Sequence, residues 1–281
     1  MIPARFDYDV AESVDHAIEL LAAGGGDTKL LAGGQSLIPA LRLRIARPAK
    51  LADLGRLDDL AYVKDGGPHI AIGAMTRHAT VAKDSLLAEH CAIVSHTAAK
   101  IGDPQVRHRG TIGGTLSHGD PASDMPAVIL ALGGELVARG KGGERVIPAT
   151  EFFTGVFETA LAPDEVLVEV RVPKLAASTG WAYVKANRRA QDWATVGVAA
   201  LVHRDDGKVA GASIGLVNMG ATPLRARAAE DALAGGASVG DAAAAVTDGA
   251  EPPSDLAASS EYRAHLAQVV AGRALEQAMA D

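Results

Sequence analysis

Two glycine-centred segments carry the residue types best suited to chemistry: Leu30-Leu31-Ala32-Gly33-Gly34-Gln35-Ser36 and Arg109-Gly110-Thr111-Ile112-Gly113-Gly114-Thr115. Each sets a Gly-Gly pair beside a hydroxyl residue. Lacking Cβ, such turns can take positive φ and let a ligand approach the backbone closely. Several amides can then converge on one concavity, where diphosphate oxygens would sit. Either loop alone reads equally well as a plain tight turn. Two of them together point to a diphosphate-containing cofactor held between loops. Neither matches G-x-G-x-x-G, and no G-x-x-x-x-G-K-[ST] run occurs, which disfavours a simple nicotinamide dehydrogenase or a nucleoside triphosphatase. Lys100, Arg107, His108 and Arg109 form a basic cluster before the second loop, and its cations are candidates for phosphate charge.

Other chemistry is poorly supported. Cys91 is the single cysteine, so an intrachain disulfide and cysteine-ligated zinc or iron–sulfur sites are excluded. The nine histidines include His108 and His118 flanking the second loop, but none pair at metal-binding spacing. No Ser-His-Asp set is supported by spacing. A net charge of −7 argues against a nucleic-acid-binding surface. Met1 to Val10 holds no apolar run of the signal-peptide kind. The apolar run Val196 to Val202 is far short of the roughly 20 residues that span a bilayer. The expectation is a soluble, cytoplasmic protein. With 281 residues, 48% hydrophobic and only 4% aromatic, the core must be aliphatic, in one large domain or two ordinary ones.

The elements that must position the loops follow from periodicity. Ser13 caps a helix burying Val14, Ala17, Ile18 and Leu21 and ending at Gly24-Gly25-Gly26. A strand from Lys29 to Ala32 feeds Gly33-Gly34, and a helix from about Ser36 carries Leu37, Leu41 and Arg44. That order sets a helix N-terminus beside the turn, as an anion cradle requires. A hairpin joins Tyr62–Lys64 to His69–Ile72, Thr76 caps the next helix, and Leu86 to Lys100 is mostly helical in pattern. After the second loop, Ser123 or Asp124 starts a helix to Leu132. Strands follow at Glu135–Ala138, Arg145–Ile147 and Val166–Val172. A boundary falls near Lys174 to Thr179. Beyond it, strands at Trp181–Lys185, Thr195–His203 and Lys208–Val217 precede helices near Leu224–Ala234, Val239–Ala245 and Ser260–Met279, a small α+β domain with a largely antiparallel sheet.

In combination the motifs are more specific. Ala32-Gly33-Gly34-Gln35-Ser36-Leu37, Thr111-Ile112-Gly113-Gly114 and Asp120-Pro121-Ala122-Ser123-Asp124-Met125-Pro126 together resemble the flavoprotein (medium) subunit of molybdenum hydroxylases. That family includes the flavin parts of aerobic carbon monoxide dehydrogenase and xanthine dehydrogenase. The resemblance runs from Ile2-Pro3-Ala4-Arg5-Phe6-Asp7-Tyr8 through Ile72-Gly73-Ala74-Met75-Thr76, Ala162 to Leu167, Tyr183-Val184-Lys185 and Asp192-Trp193-Ala194 to Ala212-Ser213-Ile214-Gly215-Leu216.

The resemblance implies an α+β fold: a PCMH-type (vanillyl-alcohol-oxidase-like) FAD-binding domain of two subdomains over residues 1–175, and a carbon monoxide dehydrogenase flavoprotein-like domain over 176–281. It implies non-covalent FAD, its diphosphate and ribityl chain held by Leu31, Ala32, Gly33, Gly34, Gln35 and Ser36 and by Thr111, Ile112, Gly113, Gly114 and Thr115. Ile101 and Gly102 would be backbone neighbours of the cofactor. Asp124, Leu167 and Lys185 would make further contacts, with Lys185 able to stabilise charge on reduced flavin. Trp193 would lie beside the isoalloxazine ring, where carbon monoxide enzymes usually carry Tyr. Two departures stand out: Thr115 where the family more often has Asn, and Gln35 where many carbon monoxide enzymes have His.

By the same resemblance no residue here is catalytic toward the organic substrate. A large partner would hold the molybdenum cofactor and a small partner two [2Fe–2S] clusters, in a dimer of heterotrimers, with peripheral membrane association through the complex as an option. Electrons would pass from the clusters to FAD and on to an external acceptor. Carbon monoxide leads as substrate, with xanthine, N-heterocycle and aldehyde dehydrogenases as alternatives. A freestanding PCMH-type flavin oxidase, or a binding protein using the fold without cofactor, are the readings from other classes.

Overall fold

The computed structural model describes residues 1–280; Asp281, the end of the expected second domain, lies outside them. The chain opens with β1 (Asp7–Val10), α1 (Val14–Gly24), β2 (Thr28–Leu31), α2 (Leu37–Arg42) and β3 (Lys50–Asp53). Ser13 caps α1 by accepting from the His16 amide, and Gly25 ends it in the left-handed region at φ 56°, as such residues favour. The strands pair in parallel in the order β1-β3-β2, so each needs a helical crossover, which α1 and α2 supply. The expected extension of α2 to Arg44 does not occur. Arg44 turns left-handed at φ 58°, with its guanidinium donating to the Ile2 carbonyl 3.2 Å away.

A second unit carries β4 (Val63–Asp65), β5 (His69–Gly73), α3 (His78–Val81), α4 (Ser85–His90), α5 (Ala92–Ala99), α6 (Pro104–Arg107), α7 (Ile112–His118), α8 (Asp124–Leu132), β6 (Glu135–Gly140), β7 (Gly143–Pro148), α9 (Ala149–Phe152), β8 (Phe153–Gly155), β9 (Glu158–Thr159) and β10 (Val166–Pro173). Its antiparallel sheet runs β4-β5-β10-β6-β7. Three expectations need correction. Thr76 does not cap α3; its hydroxyl bridges the amide and carbonyl of Tyr62, and Arg77 stands at the N-cap. The helix expected from Leu86 to Lys100 breaks at the buried Cys91, φ −154°, so that Leu87, Ile93 and Val94 all reach one core. The second glycine segment is not an open turn. Thr111 caps α7 and Gly113 and Gly114 lie in its first turn.

The third unit is the sheet β11 (Thr179–Ala186), β12 (Val196–Asp205), β13 (Lys208–Val217) and β14 (Leu224–Arg225), antiparallel in that order. Helices α10 (Arg227–Ala234) and α12 (Ser260–Ala280) pack on it, and α11 (Val239–Ala244) packs on those two helices. The helix expected from Leu224 begins instead at Arg227, because Leu224 and Arg225 pair with β13. All nine residues of α8 are buried, as expected of a helix apolar on every side. It packs against α5 and β10 of the second unit and against β12 and β13 of the third. Tyr183, Ala194, Ala199, Leu201 and Val217 therefore join the core formed by α5, α8 and β10, while the other face of their sheet forms a separate core with α10, α11 and α12.

Candidate functional site

The first glycine loop follows directly from β2, whose end beside β3 leaves residues 32–36 projecting beyond the parallel sheet. Gly34 has φ 75°, a conformation that favours glycine. Gly33 is needed for another reason. A Cβ there would stand 2.3 Å from the Arg109 carbonyl oxygen, so only glycine lets the two segments touch. On the other side Gly114 lies against Ala32, and Gly113 meets Ala74, to whose carbonyl its amide donates at 2.9 Å. Tertiary structure thus brings the two glycine segments, far apart in sequence, into one cradle.

The segments offer different things. The amides of Ala32, Gly33, Gly34, Gln35 and Ser36 donate to no backbone carbonyl among the described residues. Successive N–H groups left without partners are the raw material of an anion-binding nest. The amides of Ile112, Gly113 and Thr115 are instead committed to Thr76, Ala74 and Thr111 carbonyls, and that of Gly114 to the Thr111 hydroxyl. Those four amides are therefore already engaged within the protein, unlike the five of the first segment. The second segment's contribution is a wall and the hydroxyl of Thr115. That hydroxyl sits 2.8 Å from His78 Nε2, so the residue in place of the family's Asn is held from behind. His78 is buried, and burial first, then the Arg107 charge, lowers its pKa to about 4; the imidazole is neutral at physiological pH. Its Nδ1 has no partner among the described residues.

A second cluster lies where α8 meets β11. The Asp124 carboxylate, 4% exposed, accepts from Lys185 Nζ at 2.9 Å and from the Tyr183 hydroxyl. The Lys185 side chain is equally buried, and its Nζ also points to the Lys100 carbonyl at 3.4 Å. Burial raises the Asp124 pKa, opposed by the Lys185 charge and by both donors. Burial and the facing carboxylate raise that of Tyr183 far above its ordinary value, so its hydroxyl remains a donor. Lys185 is thus not an exposed lysine at a strand end, and Asp124 engages protein donors across the two halves. Breaking such a pair leaves an uncompensated buried charge.

The remaining expected residues are scattered around these clusters. The carbonyls of Ile101 and Gly102 accept from Arg107 Nη1 at 2.9 and 3.2 Å, so Arg107 buttresses this turn rather than standing free for phosphate. Lys100 and Arg109 are exposed. Leu167 is buried on β10, whose Val168 carbonyl accepts from Ala74, one residue layer behind Gly113. Trp193 stands apart, 54% exposed, on the loop joining β11 to β12. A cavity of about 810 Å³ is walled by Trp193, Phe157, Arg189, Asn218 and Arg263 and contains none of the glycine segments. Among the described residues no cluster of His, Cys, Asp or Glu could hold a metal ion.

Sequence reading missed Tyr183 and His78. Tyr183 was findable, since residues two apart on a strand share a face and Lys185 follows it at that spacing. His78 gave no signal, because nothing local says that its imidazole is covered by Gly110 and Thr115.

Residues 4–175 match the family described as the FAD binding domain in molybdopterin dehydrogenase, and residues 181–278 the CO dehydrogenase flavoprotein C-terminal domain. The chain is 40% identical to the carbon monoxide dehydrogenase medium chain of Hydrogenophaga pseudoflava, over 100% of this chain and 99% of that one. It is also 40% identical to the 6-hydroxypseudooxynicotine dehydrogenase complex subunit alpha of Paenarthrobacter nicotinovorans, over 99% and 96%. The solved carbon monoxide dehydrogenase of Hydrogenophaga pseudoflava, in a form lacking the Mo-pyranopterin moiety, superposes with a TM-score of 0.96 at 42% identity, covering 100% of this chain and 99% of that one. A nest of unpaired amides, a glycine-only contact between loops and full-length similarity agree, and the chain belongs to the FAD-binding medium subunits of molybdenum hydroxylases.

Proposed function

We propose that this chain carries FAD as the electron-transfer subunit of a carbon monoxide dehydrogenase-like complex, receiving electrons from [2Fe–2S] clusters on a small partner. The observation that supports this best is the row of unpaired amides from Ala32 to Ser36 closed by the Gly33–Arg109 contact. Diphosphate oxygens would accept from those amides, with Thr115 and the turn at Ile101 and Gly102 along the cofactor's path. Asp124, Lys185 and Leu167 would line its deeper part, and Trp193 the ring's outer face. FAD supplies two-electron storage with one-electron exchange. This chain's residues bind it, orient it and set the charge around it. Lys185, already paired with Asp124, places a cation where negative charge develops on reduction.

The domain division at 175/176, a large molybdenum partner, a dimer of heterotrimers, a cytoplasmic location and peripheral membrane association through the complex belong to the same proposal. No described helix is long and apolar enough to cross a membrane, so such association would be through partners or a surface. The test is the absorption spectrum of the protein purified from its native host, with co-purifying chains identified. Acid-releasable FAD with an iron–sulfur chain and a large molybdenum chain is the expected result. Protein without flavin, before and after reconstitution, would refute the proposal.

A further inference from the structure

We infer that Asn218 and Arg263 are positioning residues that set where Trp193 stands, by holding the exit of the loop that carries it. This rests on the reading that Trp193 faces the flavin ring. The loop's tip is tied mainly to itself: Asn187 Nδ2 donates to the Arg189 carbonyl at 2.7 Å, and Arg189 Nε to both Asp192 carboxylate oxygens at 3.1 Å. Trp193 is half exposed with the large cavity beside it. Its place therefore depends on how the backbone just after it is held.

Two buried side chains converge there. Asn218 Nδ2 donates to the Ala194 carbonyl at 2.9 Å and to that of Thr195 at 3.3 Å. Arg263 Nε donates to the Thr195 carbonyl at 3.2 Å. Asn218 is 8% exposed and sits at φ 61°, a left-handed conformation that asparagine tolerates. Its amide donates to the Pro121 carbonyl at 2.8 Å, so one residue links the Trp193 loop to the segment entering α8, beside Asp124. Arg263 is 1% exposed, and its other N–H groups go to the Pro253 and Ala258 carbonyls and the Asp255 carboxylate. A guanidinium buried at this cost in desolvation and fully bonded is a fixed strut. The anchors come from β13's end and from α12, so the indole's position is referred to the third unit's rigid frame rather than to its own loop.

The test uses protein with Trp181→Phe, which leaves Trp193 the sole tryptophan of the two, comparing Asn218→Asp, Asn218→Gly and Arg263→Lys in it. The aspartate keeps the left-handed backbone and shape but turns a donor into an acceptor facing two carbonyls; the glycine accommodates the same φ and removes the whole side chain. In FAD-free protein the anchors are read by Trp193 anisotropy and acrylamide quenching; with FAD, by quenching of Trp193 emission on reconstitution; and in the assembled complex, by flavin reoxidation against flavin reduction. Expected are undiminished FAD stoichiometry, a more mobile and accessible Trp193, a ratio of docked to displaced loop lower by about fivefold for each hydrogen bond lost, and slowed reoxidation with unchanged reduction. Should one Asn218 variant lose its cooperative melt, the other carries the test. Unchanged anisotropy and FAD quenching in folded variants would overturn the inference. Failure of FAD to quench Trp193 in the parent would overturn the placement of the indole at the flavin, while the FAD-free anisotropy still decides the anchoring.

Discussion

Lowering the pH should destabilise the FAD-free chain through His78, by an amount the structure allows to be worked out. The buried imidazole titrates near 4 in the folded protein against 6.5 for a free histidine. Between those values the unfolded chain binds a proton that the folded chain does not, so stability rises with pH across the window and is lost as pH falls from about 6.5 through about 4. At about 1.4 kcal/mol per unit, a shift of roughly 2.5 units amounts to about 3 kcal/mol below pH 4, and about 2 kcal/mol is already lost at pH 5. Such a loss is a large share of a typical domain's stability. The assay is urea unfolding at about pH 8 and pH 5, for the natural chain and for His78→Gln, which keeps a donor within reach of Thr115 but cannot titrate. Carboxylates contribute equally to both proteins and cancel in the difference. The natural chain should lose about 2 kcal/mol more than the variant between the two pH values. Equal losses in the two proteins would refute the placement of a neutral, covered imidazole behind Thr115.

The cradle and the buried pair give further expectations. Gly33→Ala would put a Cβ 2.3 Å from the Arg109 carbonyl oxygen, forcing the loops apart, so the purified variant should retain less than about a tenth of the FAD of the natural chain, a loss of more than roughly 1.4 kcal/mol; full flavin content would sink the contact's role. Gly114→Val should likewise lose FAD, because its Cβ would sit 2.8 Å from the Thr111 hydroxyl that caps α7. Thr115→Ala should weaken FAD binding only modestly, and equal retention by both purified variants counts against the cradle geometry. Lys185→Met leaves Asp124 buried with one donor and should cost about 3–5 kcal/mol in denaturant unfolding. Adding Asp124→Asn to that variant should recover most of it, since the uncompensated charge disappears; an unchanged midpoint in the single variant would mean the pair is solvated.

Much of the architecture was legible because local rules and tertiary structure agreed. Ser13 and Gly25 bracket a helix by capping chemistry alone, and the alternation from Val166 to Val172 marks β10 without help from its neighbours. The strand Lys208–Val217 was read to its ends. The two glycine segments and their hydroxyls were visible as unusual, and their family resemblance extends over almost every element. All of this depends on short-range backbone preference, hydrophobic period and residue type, which a sequence states directly.

What tertiary structure alone decided is which groups meet and which are already spent. Sequence treats the amides of Ala32 to Ser36 and of Thr111 to Thr115 alike. Packing α7 against Ala74 and Thr76 takes up the Ile112 and Gly113 amides, the helix cap takes up those of Gly114 and Thr115, and the first set is left without backbone partners among the described residues. Lys185 has the composition of a surface residue, and becomes a buried partner of Asp124 only because α8 is enclosed between two sheets. Cys91 breaks a helix that periodicity would run through, since both of its halves must reach the same core. His78, Asn218 and Arg263 owe their roles to neighbours distant in the chain, and burial of a polar group depends on those neighbours, which local pattern does not encode.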